Sequence, residues 1–263
     1  MMRQIVVSGG GTGIGRAVAA AFAEQGEQVV ITGRRKDVLE RTAAELGPAV
    51  RPVAFDAADP AQVTAALAEL PDQVHVLVNN AGGNTDLGAA PAEVAENAEA
   101  AGAAEAAEDT EDPAGLAALA AAWQANLNAN LLSAVLLTSA LRERLRPGGT
   151  VINLSSIAAH RGGSGSYGAA KAAVEAWNLT LAQQLGPEGI TANVIAPGYI
   201  EDTEFFGAGI SPERRAWNIA NALNRRAGTP ADIAGTALYL ASPAAGHLTG
   251  QTLHLNGGTL SGR

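Results

Sequence analysis

The sequence predicts an α/β fold in which helices cover both faces of a parallel sheet. Strand-like runs alternate with helical stretches along almost the whole chain, and this alternation favours parallel strands joined by right-handed crossovers. A glycine-rich turn between the first strand and the first helix is typical of a Rossmann-type, doubly wound sheet. The length of 263 residues and the hydrophobic content of 47% suffice for one core. We therefore expect a single domain, residues 1–263, around a seven-stranded sheet.

The predicted elements follow from short β-rich runs and from apolar residues at helical spacing. Strands are expected at Gln4–Ser8, Gln28–Thr32, Val50–Phe55, Val74–Val78, Thr150–Leu154, Thr191–Ile195 and Gln251–Leu255. Helices are expected from the glycine turn to Gln25, at Lys36–Leu46, from Pro60, at Gly115–Leu145 and Tyr167–Leu185, and in two stretches after Ser211, the second from Pro230.

The composition limits the classes of function. The chain has no cysteine, which excludes disulfides, thiolate catalysis and cysteine-ligated metals and favours a reducing, cytoplasmic location. No metal site is indicated, and no apolar run reaches membrane-spanning length. The net charge is −9, and half of the acidic residues lie between Pro52 and Leu141, where there is no Lys or Arg. This acidic stretch argues against a nucleic-acid partner.

The glycine turn after the first strand has the spacing Gly9-xxx-Gly13-Ile14-Gly15 rather than the generic G-x-G-x-x-G. Glycines let the backbone approach a pyrophosphate closely, and the N-terminus of the following helix offers free N–H groups and a positive dipole end. The turn therefore predicts dinucleotide binding, with a ligand-free glycine turn as the alternative.

The end of the second strand predicts which dinucleotide is bound. A NAD site would place Asp or Glu there for the ribose 2′-hydroxyl, but this chain has Gly33, Arg34 and Arg35. A guanidinium can hold a 2′-phosphate through charge-assisted hydrogen bonds. We therefore expect NADP(H), unless these charges only solvate the next helix.

Two further strand ends carry candidate ligand contacts. Asp56 ends the third strand and is expected either to bind an adenine ring or to cap the next turn. Asn79-Asn80-Ala81-Gly82-Gly83 follows the fourth strand, where small residues allow close packing against a flat ligand. The next stretch, about residues 84–112, has the composition of an acidic Ala/Glu-rich insertion. It is expected to be solvated, mobile and partly helical, or to form a rim or lid beside a substrate pocket.

A proton-transfer site is predicted between Asn153 and Lys171. Tyr167 and Lys171 are four residues apart on a helix and therefore share one face, and Ser155 and Ser156 lie at the preceding strand end. A nearby ammonium is expected to lower the pKa of the Tyr167 phenol. The helical run Asn126-Leu127-Asn128-Ala129-Asn130 suggests either that these asparagines make functional polar contacts or that they lie on a solvated helix surface.

Together these motifs resemble the short-chain dehydrogenase/reductase family over essentially the whole chain. Ser8-Gly9-xxx-Gly13-Ile14-Gly15 is similar to the family's Thr-Gly-xxx-Gly-Ile-Gly loop. Asn79-Asn80-Ala81-Gly82, the Tyr167-xxx-Lys171 pair, Pro197-Gly198 and the stretch from Gln251 to Gly258 match the family as well. The insertion before Trp123 and an extra residue before Thr203 are departures that bear on the substrate rather than on the chemistry.

The resemblance implies reversible hydride transfer between NADP(H) and a carbonyl or secondary alcohol. Ser156 would bind the developing oxyanion, with Ser155 as the alternative because the loop to Tyr167 is short. Tyr167 would donate its proton and Lys171 would hold the nicotinamide ribose. Asn130, placed by its distance from Trp123, would position a relay water. The implied cofactor contacts are Ser8, Gly9, Gly11, Thr12, Gly13, Ile14, Gly15, Arg34, Arg35, Asp56, Ala57, Asn80, Ala81, Gly82, Tyr167, Lys171, Pro197, Gly198 and Ile200.

For the substrate, the resemblance is nearest to 3-oxoacyl thioester reductases of the 3-oxoacyl-ACP type. A polyol, sugar or steroid dehydrogenase and a non-catalytic NADP-binding regulator are the alternatives. Five arginines suggest an acidic acyl carrier as a partner, or else are solvated helix surface: Arg142, Arg144, Arg146, Arg214 and Arg215. Phe205 and Phe206 are candidate apolar contacts. The family also implies a homo-oligomer, a tetramer or dimer, formed through the two long predicted helices and the last strand.

Overall fold

The chain forms one parallel sheet in the computed structural model, which describes residues 2–85, 115–162, 164–206 and 210–260. Its strands are β1 (Gln4–Ser8), β2 (Gln28–Gly33), β3 (Val50–Ala54), β4 (Val74–Asn79), β5 (Leu145–Leu154), β6 (Thr191–Pro197) and β7 (Thr252–Leu255). Their order in the sheet is β3-β2-β1-β4-β5-β6-β7, with parallel pairing throughout. The predicted seven-stranded Rossmann-type fold is confirmed.

Helices pack on both faces of this sheet. They are α1 (Gly13–Glu24), α2 (Lys36–Leu46), α3 (Pro60–Ala66), α4 (Leu116–Leu127), α5 (Ser133–Ala140), α6 (Gly165–Leu185), α7 (Pro212–Asn221) and α8 (Pro230–Leu240). None of the helices in the described ranges is both long and apolar enough to span a bilayer.

The core has two layers because alternate residues of a strand point to opposite faces of the sheet. Ile5 and Val7 of β1 contribute to the cluster that includes Phe22 of α1. Val6, between them, contributes to the other cluster, with Leu137 of α5. Both faces are therefore apolar, and polar groups concentrate at the ends of the strands.

The predicted continuous helix at Gly115–Leu145 is wrong in its interior and at its end. A π-helical turn, Asn128–Leu132, separates α4 from α5, and in it the Ser133 N–H donates to Asn128 O, five residues back. The strand β5 starts at Leu145 rather than at Thr150, with Gly148 at φ 77° in an irregular stretch of the β4–β5 pairing. π turns of this kind are frequent at functional sites.

Most of the acidic insertion predicted at about residues 84–112 lies outside the described residues. Its first two residues are described, and the Thr85 N–H donates to Asn126 Oδ1 at 3.2 Å. The insertion therefore leaves the sheet edge beside α4. The interpretation of the segment as a rim or lid stays a prediction.

Candidate active site

The predicted site residues lie at the carboxyl edge of the sheet. Because the strands are parallel, the loops after β1, β2, β4, β5 and β6 all leave from this edge. Ser8 ends β1, Arg34 follows β2 and Asn80 follows β4. Ser156 follows β5, and Pro197 ends β6. The topology thus brings together residues that are far apart in the sequence.

The glycine turn is locked to the loop after β4. Ser8 Oγ accepts hydrogen bonds from the Asn80 and Ala81 N–H groups, both at 3.0 Å. The Asn80 side-chain amide donates to Gly9 O at 3.1 Å. A Cβ at Gly15 would lie 2.1 Å from Gly9 O, so only glycine fits at that position. Ser8, Asn80 and Gly15 therefore hold the turn in shape.

The N-terminus of α1 is open toward the same edge. Thr12 is the N-cap residue, but its side chain makes no capping hydrogen bond. Gly13 has φ 51°, a conformation that L side chains rarely adopt, so the turn into the helix depends on this glycine. Free N–H groups at a helix start suit a pyrophosphate.

A carboxylate lies between the glycine turn and the cationic end of β2. Arg35 Nη2 donates to Glu204 Oε2 at 2.7 Å, and Thr12 Oγ1 donates to the same oxygen at 3.3 Å. Glu204 belongs to the segment after β6. Its carboxylate thus occupies a position that is built to receive an anion. Arg34 and Arg35 are both exposed at this strand end.

Tyr167, Ser156 and Lys171 lie together at the start of α6. The Tyr167 phenol is hydrogen bonded to the Ser156 side chain. Lys171 Nζ donates to Leu154 O at 2.9 Å and lies 5.8 Å from the centre of the Tyr167 ring. Tyr167 and Lys171 are 7% and 4% exposed. This geometry offers two adjacent hydroxyls, with a buried cation beside them.

The expected lowering of the Tyr167 pKa by Lys171 is wrong for this arrangement. Burial has the larger effect and raises the pKa of Tyr167 to about 12, although the hydrogen bond from Ser156 acts in the opposite direction. Burial also lowers the pKa of Lys171 to about 8. Tyr167 is therefore a neutral phenol at neutral pH.

The two serines face different partners. Ser155 Oγ donates to Glu175 Oε1 at 2.6 Å and to Lys171 O at 3.1 Å, so the hydroxyl beside Tyr167 is that of Ser156. Glu175 Oε2 also contacts His160 Nε2 at 2.7 Å. Sequence reasoning missed Glu175, although it lies one helical turn after Lys171 and hence on the same face. Glu175 ties the loop that carries Ser156 to α6.

The three asparagines around the π turn have different surroundings. Asn130 Nδ2 donates to Gly83 O at 2.8 Å and its Oδ1 accepts from Gly83 N at 3.1 Å, which fixes the loop after β4. Asn126 is buried and donates to Ser166 Oγ at 2.8 Å. Asn128 Oδ1, by contrast, accepts from Gln124 on an exposed surface. Asn126 and Asn130 therefore make internal polar contacts, whereas Asn128 lies on the solvated helix surface.

Asn130 also lies near Lys171, on the other side of Gly82. A Cβ at Gly82 would lie 2.5 Å from Asn130 Oδ1 and 3.4 Å from Lys171 Nζ. Gly82 therefore leaves open the narrow space between the loop after β4 and the buried ammonium.

The remaining predicted cofactor contacts lie at the same edge. Asp56 Oδ1 accepts from Ala58 N at 2.9 Å, while Asp59 caps α3, and Ala57 is buried. Gly198 N donates to Leu255 O at 3.1 Å. The Ile200 side chain packs in the core, and its backbone O accepts from Thr203 Oγ1 at 3.4 Å.

The five arginines proposed to meet a carrier protein do not form one surface. Arg142 pairs with Glu188, and Arg144 donates to Leu67 O and Leu70 O, at the end of the sheet opposite the site. Arg146, near the start of β5, lies at that end too, whereas Arg214 and Arg215 lie on α7. Phe205 does lie at the site, with its ring 5.5 Å from that of Tyr167. The side chain of Phe206 lies outside the described residues.

Comparisons with known proteins agree with this geometry. A family model described as Enoyl-(Acyl carrier protein) reductase matches residues 9–107 and 98–259. The 3-oxoacyl-[acyl-carrier-protein] reductase FabG of Vibrio cholerae is 30% identical over 260 residues, covering 96% of this chain and 95% of the relative. A putative oxidoreductase of Mycobacterium tuberculosis is 32% identical over 258 residues, 98% of both chains.

Solved structures are similar over the whole chain as well. A short chain dehydrogenase from Burkholderia cenocepacia in complex with NADP has a TM-score of 0.78 at 26% identity, covering 98% of this chain and 97% of its own. A blue fluorescent protein from a metagenomic library in complex with NADPH has a TM-score of 0.78 at 29% identity, covering 98% of both chains.

Proposed function

The chain belongs to the short-chain dehydrogenase/reductase family, and we propose that it catalyses reversible, NADP(H)-dependent hydride transfer at a carbonyl or secondary alcohol. The observation that carries the proposal is the hydrogen-bonded pair of Tyr167 and Ser156 beside the buried Lys171. This arrangement supplies two hydroxyl groups for one substrate oxygen.

In carbonyl reduction, negative charge develops on the substrate oxygen, and the side chains act on that atom. The bound nicotinamide would supply the hydride to the carbonyl carbon. Ser156 donates a hydrogen bond to the oxygen, and Tyr167, a neutral phenol with its pKa raised to about 12, donates the proton. Lys171 would hold the nicotinamide ribose and place positive charge near the phenol, while Asn130 fixes the loop after β4.

NADP(H) is the proposed cofactor rather than NAD(H). Its support is the pair of exposed arginines after β2, where a carboxylate for a ribose 2′-hydroxyl is lacking. Arg35 already binds the carboxylate of Glu204, so its guanidinium is oriented toward an anion next to the glycine turn. Solved relatives bound to NADP and NADPH agree with this choice.

The proposed substrate is a 3-oxoacyl thioester or a similar ketone, with an acyl carrier as the possible partner. The similarity to 3-oxoacyl-[acyl-carrier-protein] reductases supports this choice, and a polyol, sugar or steroid is the alternative. A non-catalytic NADP-binding regulator is the alternative of a different class, and the complete set of catalytic side chains argues against it. We further propose a cytoplasmic homo-oligomer, a tetramer or dimer.

The test is the Tyr167→Phe variant, which removes the proton donor and keeps the ring. Steady-state NADPH oxidation with acetoacetyl thioesters and simple ketones should fall by at least about a thousandfold, within the range that acid–base groups contribute. NADPH binding, followed by the fluorescence of the cofactor, should be nearly unchanged. Tyr239→Phe, at an exposed tyrosine of α8, is the matched control and should behave like the wild type.

Wild-type rates in Tyr167→Phe would overturn the assignment of the proton donor. Tight NADPH binding by the wild type, with no turnover of any carbonyl compound in the panel, would instead favour the regulator. The wild type turns over carbonyl compounds in the first outcome and not in the second, so its activity separates the two.

A further inference from the structure

Two guanidinium groups lie on the indole of Trp217, outside the residues assigned above. Arg214, on the same helix α7, has its guanidinium carbon 4.7 Å from the centre of the ring. Arg161, from the loop after β5, has its guanidinium carbon 5.5 Å from the same ring. Trp217 is 43% exposed. Both contacts are cation–π interactions, which hold the cations in place without neutralising them.

These two arginines differ from their neighbours in having no carboxylate partner among the described residues. Arg215, next in the chain, pairs with Glu201 at 2.7 Å, and Arg226 pairs with Asp232 at 2.7 Å. The chain as a whole carries a net charge of −9. Two uncompensated cations on one side chain of an acidic protein form a local positive site.

The location connects this positive site with the catalytic residues. The Arg161 N–H donates to Ile157 O at 3.1 Å, within the turn that Ser156 caps. Phe205, which packs against Tyr167, belongs to the segment that leads to α7. The contact of Arg161 with Trp217 therefore connects the loop that carries Ser156 with α7.

The cofactor phosphates belong to the other half of the sheet. The glycine turn follows β1 and Arg35 follows β2, whereas the Trp217 cluster is formed by segments that follow β5 and β6. β2 and β5 are separated by three strand spacings, about 14 Å. An anion on Arg161 and Arg214 would therefore belong to the substrate.

We propose that Arg161 and Arg214, held on Trp217, form an anion-binding subsite beside the loop that carries Ser156, which binds a carboxylate or phosphate carried by the carbonyl substrate. The subsite rests on the proposed function, since it selects among substrates of that reaction. Guanidinium groups suit this role because their planar donors match the oxygens of both anions and they are weakly hydrated. The preferred substrate is thus an anionic ketone or a ketone on a phosphate-bearing arm.

The test compares matched anionic and neutral substrates. Acetoacetate is paired with its methyl ester, and acetoacetyl-coenzyme A is paired with the acetoacetyl thioester of N-acetylcysteamine. The first pair reports a carboxylate and the second a phosphate-bearing arm. In Arg161→Gln or Arg214→Gln, kcat/KM for the anionic member should fall about tenfold more than for the neutral member, as expected for one charge-assisted hydrogen bond.

In the double variant the difference should reach about a hundredfold if the two losses add. Arg51→Gln removes the same charge from an exposed site on the edge strand β3, four strands away from β5. It should leave the ratio of kcat/KM for the anionic substrate to kcat/KM for the neutral substrate unchanged. An unchanged ratio in the double variant, for both substrate pairs, would overturn the subsite.

A binding measurement separates this inference from the proposed function. With NADP⁺ at saturation, acetoacetyl-coenzyme A should change the tryptophan fluorescence of the wild type. The fluorescence change should disappear in Trp217→Phe. In Arg161→Gln, the dissociation constant of acetoacetyl-coenzyme A obtained from this change should rise about tenfold. Binding without turnover of any ketone would leave the subsite standing and refute the reductase function. Turnover of neutral ketones, with neither a preference for the anionic substrates nor a fluorescence change, would support the reductase function and refute the subsite.

Discussion

Tyr167 and Lys171, the two side chains of α6 proposed to be catalytic, are both deeply buried, and burial shifts their pKa values in opposite directions. It disfavours the charged form of each group, so it raises the pKa of Tyr167 to about 12 and lowers that of Lys171 to about 8. A protonated Tyr167 is suited to carbonyl reduction, while the reverse oxidation needs a phenolate. In the proposed reaction, the burial of the pair therefore suits the reductive step near neutral pH.

The first prediction concerns the pH dependence of carbonyl reduction. We expect kcat/KM to stay level at neutral pH and to fall as pH rises through about 8, because Lys171 then loses its charge whereas Tyr167 keeps its proton. Initial rates with NADPH at saturation, from about pH 6 to about pH 10, measure this step. Lys171→Met should be slow throughout and lack the step. A wild-type profile that stays level to about pH 10 would contradict the prediction.

Glu175 illustrates what a sequence pattern leaves out at the residue scale. Tyr167 and Lys171 are related by helical spacing, which a single stretch of sequence displays. The bonds of Glu175 to Ser155 and His160 span 20 and 15 residues and depend on how the loop after β5 folds back over α6. No spacing rule in the sequence encodes how this loop folds back over α6, so the sequence alone does not predict the contacts of Glu175.

At the scale of elements, the strands and the glycine turn could be predicted because each is a local pattern. The π turn at Asn128–Leu132 could not, since its residues are consistent with a continuous helix. The start of β5 was misjudged because the Pro147-Gly148-Gly149 stretch reads as a turn, whereas the structure accommodates it within the strand as an irregular pairing with β4. Tertiary pairing decided both features.

The segment after β6 carries the second prediction. Glu204 bonds to Arg35 and Thr12, where a cofactor phosphate would bind, so the carboxylate and the phosphate compete for the same donors. We expect Glu204→Gln to bind NADPH about five- to tenfold more tightly, the effect of removing one repulsive charge near an exposed arginine. NADH, which has no 2′-phosphate, should gain less. Titrations of cofactor fluorescence measure both constants.

The matched control for that substitution is Glu213→Gln, which removes the same charge from the first turn of α7. It should leave the NADPH-to-NADH preference at its wild-type value. If Glu204→Gln bound NADPH more weakly than the wild type, the carboxylate would instead support the bound cofactor, and the competition would be refuted.

At the scale of the whole molecule, apolar side chains remain exposed on two neighbouring helical segments. Trp123 of α4 is 43% exposed, Leu132 of the π turn 36% and Leu179 of α6 54%. The buried hydrogen bond between Asn126 and Ser166 joins the same segments. Exposed apolar side chains on adjacent helices are typical of an interface between subunits.

The last prediction therefore concerns assembly. If these helices meet a second copy, a charge placed among them has to be desolvated in the interface, and the assembly is destabilised. Light scattering should give the wild type a mass that is a multiple of 26.5 kDa. Leu179→Asp and Trp123→Asp should each shift the mass toward the single chain, with circular dichroism unchanged. Met2→Asp alters a side chain that is 63% exposed before β1 and should keep the wild-type mass. A monomeric wild type, or variants that assemble like it, would show that these helices face solvent.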